Sequence, residues 1–225
     1  MSAMMYERLW QALLDTIAMV GVSSLIAFAA GIPLAVFLVL AQPGGLIEAP
    51  KTQRVLAAII NGFRATPFIV LLVALLPLTR LITGTTIGVW AAAVPLSISA
   101  TPFFARIAEV SLREVDPGLI EAAQAIGCRR WHIVRHVLIP EALPSIIGGF
   151  TITLVSVIGA SAMAGAVGAG GLGDMAIRYG YQRFDTTVMA AVIVVLIALV
   201  CLVQFAGDSA VRYLARDDLK DRYTT

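Results

Sequence analysis

Five apolar runs separated by turn-rich or polar stretches dominate the hydrophobic pattern of this chain. Residues 17–40, 56–78, 84–105, 145–167 and 187–206 each reach the about 20 positions a helix needs to cross a hydrocarbon core. The pattern predicts an all-α, polytopic membrane protein with five transmembrane helices in a single domain. Asn61, Arg64 and Pro67 flaw the second run. A centrally placed arginine costs about 2.5–3.5 kcal/mol on insertion scales. Arg64 lies about two turns in from one end of its run, so snorkelling of its side chain is preferred over a functional role. Pro95 and Pro102 predict kinks in the third run, whose freed carbonyls need partners inside a bundle. In the fourth, Ser156, Ala160, Ala164 and Gly168 recur every four residues. Such a stripe predicts a central helix that another helix approaches to backbone distance. Met163 protrudes from small neighbours and is a candidate flexible plug in a translocation path, although an ordinary packing methionine fits the spacing better.

Between the third and fourth runs lies a polar, arginine-bearing segment, 106–144. Asp116 followed by Pro117 reads as an N-cap with proline at the first helical position, and good helix formers continue to Ile126. Gly127 stands where a left-handed residue ends a helix. Trp131, Val134 and Leu138 then resume apolar spacing until Pro140 is expected to break it, giving helix, bend and second helix. Ala122, Ala123 and Ala125 give the first helix a low-relief surface suited to a groove, and Glu121 is an expected first-turn anion that can pair with a partner's cation. The alternative is a helix lying on lipid headgroups, with Arg129, Arg130 and Arg135 on phosphate and Trp131 at the interface.

Composition agrees with a membrane protein: of 225 residues 59% are hydrophobic and only 13% charged, with a mean hydropathy of +0.90. A net charge of +2 is too small to suggest a nucleic-acid partner. The position of the basic residues says more. With 106–144 inside, cytoplasmic segments hold eleven of the 16 basic residues and the outer segments only Arg8, Arg80, Arg178 and Arg183, with Arg64 in the membrane. The positive-inside rule therefore predicts N-terminus outside and C-terminus inside. Residues 1–16 read as a polar lead-in without the basic region of a secretory signal, and are expected to be retained. Residues 207–225 read as a polar tail. Cys128 and Cys201 fall in different compartments and are expected to be free thiols.

Several chemistries lack their residues. No G-x-x-x-x-G-K-[ST] is present, so the chain has no P-loop for ATP and needs energy from a partner. Gly168, Gly170 and Gly173 match G-x-G-x-x-G but follow an apolar helix rather than a strand, and are expected to form a tight turn or hinge at the outer face. His132 and His136 lack a third ligand nearby, so no metal site is expected. Arg64 is the sole Asp, Glu, Lys or Arg in the five runs, which lowers the weight of proton-coupled transport and removes paired acids for catalysis. No enzymatic site is expected.

The polar segment also resembles the EAA loop of ATP-binding-cassette importer permeases. Glu121, Ala122, Ala123, then Gly127, then Val137, Ile139 and Pro140 keep that family's full spacing, with valine and isoleucine where isoleucine and leucine are most frequent. The resemblance implies the type I importer permease fold, with the first part of the loop acting as a coupling helix that docks on an ATPase through Glu121, Ala122, Ala123, Ile126, Gly127 and Pro140. It is similar, through residues 161–184, to methionine importer permeases. That likeness implies a second copy of the chain, two ATPase subunits carrying ATP and Mg, and an external substrate-binding protein. It also implies a bacterial inner membrane with its lipid, and translocation of D- or L-methionine by alternating access. No cofactor is expected on this chain. Ser156, Ala160, Met163 and Ala164 are the candidates for the path or gate. An importer of another amino acid or phosphonate, or a passive channel or scaffold, remains open on the sequence.

Overall fold

The computed structural model describes residues 3–223, with side chains for residues 4–215. All regular structure among the described residues is helical. The first helix, α1, runs Ala3–Leu40. It starts well before the first apolar run because Met5, Leu9, Ala12 and Leu13 repeat at three- and four-residue spacing and pack on Leu172, Met175, Val188 and Val192. The expected polar lead-in is therefore the amphipathic first part of a helix.

The second run is broken. Helix α2 (Pro50–Ala65) and α3 (Phe68–Ala74) meet at 103°. Pro67 disfavours helical geometry in the residue before it, and Thr66 and Pro67 are both extended, with ψ of 125° and 134°. A short α4 (Leu76–Thr83) ends on Gly84 at φ +76°. The continuous helix expected over 56–78 is thus three pieces. Helix α5 (Val89–Arg113) continues through Pro95 and Pro102 and carries the third run beyond residue 105. After α6 (Pro117–Ala125), α7 (Arg130–Ile133), a π turn π1 (Val134–Leu138) and α8 (Ile139–Gly165) follow without a gap. The break expected at Pro140 does not occur. The wide π turn already redirects the hydrogen bonding, Ile139 N–H donating to Val134 O, so proline enters at the start of α8 where its missing N–H costs little. Helix α9 (Gly171–Met175), a second π turn π2 (Ala176–Tyr181) and α10 (Thr186–Tyr223) complete the chain. The backbone of the expected polar tail is helical through Tyr223.

Three buried clusters give the directions. Ala12 of α1 meets α9 and the start of α10 at one end. Met19, Leu96, Val157 and Ala164 fill the middle. Val39, Leu112, Val115 and Leu138 meet at the other end. Helices α1, α5 and α10 therefore run one way and α8 the other, while α2 to α4 make the return between α1 and α5. The start of α1 and the later part of α10, where Val211 lies against Gly148, are therefore at opposite ends of the bundle. Phe28, Phe104 and Phe150 interlock with ring centroids 5.0–5.5 Å apart, joining α1, α5 and α8. Helix α8 touches α1, α3, α5, α9 and α10, the central position expected of it.

Candidate coupling loop and central cavity

Both ends of α6 are closed by the residues that the sequence singles out. Asp116 Oδ1 accepts from Gly118 N–H at 2.8 Å, and Pro117 takes the first helical position. At the other end Gly127, at φ +78°, lets its N–H reach Gln124 O at 2.9 Å and Cys128 N–H reach Ala123 O at 3.0 Å. These two bonds satisfy terminal carbonyls in the double closure typical of a left-handed glycine. Between the caps, Ala123 is buried and Ile120 packs on the bundle, while Glu121, Ala122 and Ala125 face out. Leu119, Ile126 and Trp131 are 42%, 81% and 65% exposed. Glu121 is one turn later than expected: the first turn of α6 holds no acid, because the Asp116 cap fixes the start at Pro117. Pro140 is exposed beyond π1, away from α6 in sequence but at the foot of the long helix that follows the loop.

The loop is shorter than its expected limits. Its first residues belong to α5, where Glu109 is fully buried and accepts from Arg106 Nη1 at 2.7 Å and Arg113 Nη2 at 2.6 Å. Ser145 Oγ of α8 donates to Ser111 Oγ at 3.0 Å. Arginines three before and four after a glutamate are a helical pattern readable in the sequence. Outside the loop, Cys128 and Cys201 are unbridged and exposed, and the rings of His132 and His136 stack at 5.7 Å.

The small-residue stripe of α8 divides among three surroundings. Ser156 and Ala160 line a cavity of about 280 Å³ between α8, the middle of α5 and the α2–α3 break, where Arg64, Thr66 and Pro67 form its wall. Ala164 is fully buried in the central cluster, and Gly168 lies in the turn after α8 at φ +89°. Met163 is 54% exposed and is not part of that cavity. The expected backbone approach lies off the stripe. A Cβ on Gly165 would collide with the backbone of Gly173 and Asp174, and one on Gly173 with that of Ala162. The glycine turn is tight, as expected: Gly170 and Gly171 also have positive φ, and Gly88 N–H donates to Gly168 O at 3.0 Å. Arg64, whose side chain is exposed, lines the same cavity as Leu96, Ser99 and Phe103 of α5 and Ser156 of α8.

A sequence model of the family described as "Binding-protein-dependent transport system inner membrane component" matches residues 31–217. The probable D-methionine transport system permease protein MetI of Vibrio cholerae is 50% identical over 211 residues, 94% of this chain and 92% of that one. The methionine import system permease protein MetP of Bacillus subtilis is 42% identical over 171 residues, covering 76% and 77%. A chain of the MetNI methionine ABC transporter, solved in inward-facing conformations, superposes with TM-score 0.94 at 48% identity, covering 95% of this chain and 99% of that one. An amino acid ABC transporter with histidines superposes at TM-score 0.71 with 19% identity, and so shares the fold. With its multi-pass helical bundle, its capped loop and a match over most of its length, the chain belongs to the inner-membrane component family of binding-protein-dependent transport systems.

Proposed function

We propose that this chain is the permease of a methionine importer, moving D- or L-methionine through a pore built from two copies. The observation that carries the reading is the chain-long superposition on a methionine ABC transporter subunit at 48% identity. An external binding protein delivers the substrate, and two ATPase chains, which hold ATP and Mg, supply the energy. The capped helix α6 is the coupling element. Its apolar residues Leu119 and Ile126 are exposed and need a covering surface, and Ala122 and Ala125 present no side chain that would keep a groove wall away. Glu121 offers an anion for a cation in that groove. ATP draws the ATPase chains together, α6 follows, and the bundle opens outward; hydrolysis resets it. The bacterial inner membrane, with the loop in the cytosol and the start of α1 outside, is the setting this requires.

The test is uptake of labelled methionine into vesicles holding the purified permease and ATPase, driven by added binding protein. Uptake should require all three components and ATP, and unlabelled methionine should compete. Transport of phosphonate or another amino acid in preference to methionine would overturn the substrate assignment.

A further inference from the structure

We infer that the cavity at the α2–α3 break is a transient substrate station in which Arg64 receives the substrate's carboxylate. The inference rests on the amino-acid importer reading above and adds a site to it. A charged residue at depth in a membrane helix is costly and characteristically faces a cavity or a partner. Arg106 and Arg113 hold Glu109, Arg178 holds Asp174, and Arg8 and Arg183 lie over Tyr179. Arg64 has neither an ion pair nor a hydrogen bond among the described residues. It sits in the last turn of α2, where the helix dipole favours a cation before any ligand arrives.

The surroundings suit a small zwitterion. The cavity of about 280 Å³ is just below the range of about 300–1,000 Å³ usual for small-molecule sites. No acidic residue lines it, so its one charge is positive. Ser99 and Ser156 contribute hydroxyls that have no hydrogen-bond partner among the described residues, and Phe63, Phe68 and Phe103 supply an apolar wall for a side chain. In secondary transporters, discontinuous helices meeting at the middle of a bundle are where such sites are built, and the α2–α3 break offers a similar interruption here. Carboxylate on guanidinium, ammonium toward the Ser99 and Ser156 hydroxyls and side chain on the aromatic wall would engage the charge, the free hydroxyls and the rings of the cavity. A single, partly exposed cation holds the substrate only weakly, which allows release to the other side.

The experiment compares methionine moved per ATP hydrolysed in vesicles holding the full complex with its binding protein. Loss of a charge-assisted bond in Arg64→Gln should lower that ratio about tenfold or more, and Arg64→Lys should restore it to within about threefold of wild type. Ser156→Val, which removes a hydroxyl and narrows the cavity without touching the charge, should also lower the ratio. An unchanged ratio in Arg64→Gln, or in Ser156→Val if Arg64→Gln does not assemble, overturns the station. Equal ratios for Arg64→Lys and Arg64→Gln overturn the carboxylate assignment. A wild-type complex that moves no methionine removes the importer reading itself, a result separable from these.

Discussion

At the scale of single residues, the end of α6 depends on Gly127. Its φ of +78° is a conformation that costs an L-residue about 1–2 kcal/mol, although a Cβ there would meet nothing within 4 Å. Gly127→Ala should therefore leave the bundle intact and loosen only the end of α6. We expect binding-protein stimulation of ATP hydrolysis to fall severalfold in the purified complex while the melting temperature of the permease changes little. A large drop in melting temperature would show instead that the loop is part of the bundle's stability. Glu109 is the opposite kind of residue. Fully buried between two arginines that keep about two-fifths of their side-chain surface in solvent, it ties successive turns of α5 together at the level where the loop begins.

At the scale of elements, the two glycines that bring α8 and α9 together make a sharp contrast with a third. Gly165 and Gly173 leave no room for a methyl group, whereas a Cβ on Gly159 meets nothing within 4 Å. Gly165→Ala should cost about 1–3 kcal/mol or more by overpacking against rigid backbone, seen as reduced monodisperse yield in detergent, and Gly159→Ala should be tolerated. These positions also show what a sequence discloses. The caps of α6 were legible because Asp-Pro and Gly act through local backbone geometry, which travels with the residues. The extent of α1 was not, because Glu7, Arg8 and Asp15 disguise an apolar face that is covered by residues far along the chain, among them Leu172, Met175, Val188 and Val192. Pro67 was visible, yet its effect depends on what surrounds it: Pro95, Pro102 and Pro140 all lie within helices, while Pro67 turns the chain by 103°. Of the path candidates, Ser156 and Ala160 share a cavity. Ala164 does not, since a four-residue repeat drifts around a helix of 3.6 residues per turn.

At the scale of the whole molecule, the outer surface is unfit for water. The most apolar stretch of α10 is only 11% buried, and Ile193, Val194, Ile197, Leu202 and Phe205 stand exposed, as lipid or a second copy requires. Orientation can be read from a native thiol. In a Cys201→Ser background, a membrane-impermeant maleimide should leave Cys128 unlabelled in intact cells and label it in inverted vesicles. Labelling in intact cells would reverse the topology and remove the docking role proposed for α6. The unbroken rod from Arg130 to Gly165, 36 residues or about 54 Å at 1.5 Å per residue, carries a mechanical corollary. Its foot adjoins the capped loop and its tip abuts the glycine turn, where the backbones of Gly165 and Gly173 touch without slack. A rod of that length tilted by about 5° about its foot would swing its tip by about 5 Å, so any tilt passed to it from the proposed docking loop would be largest at the glycine turn.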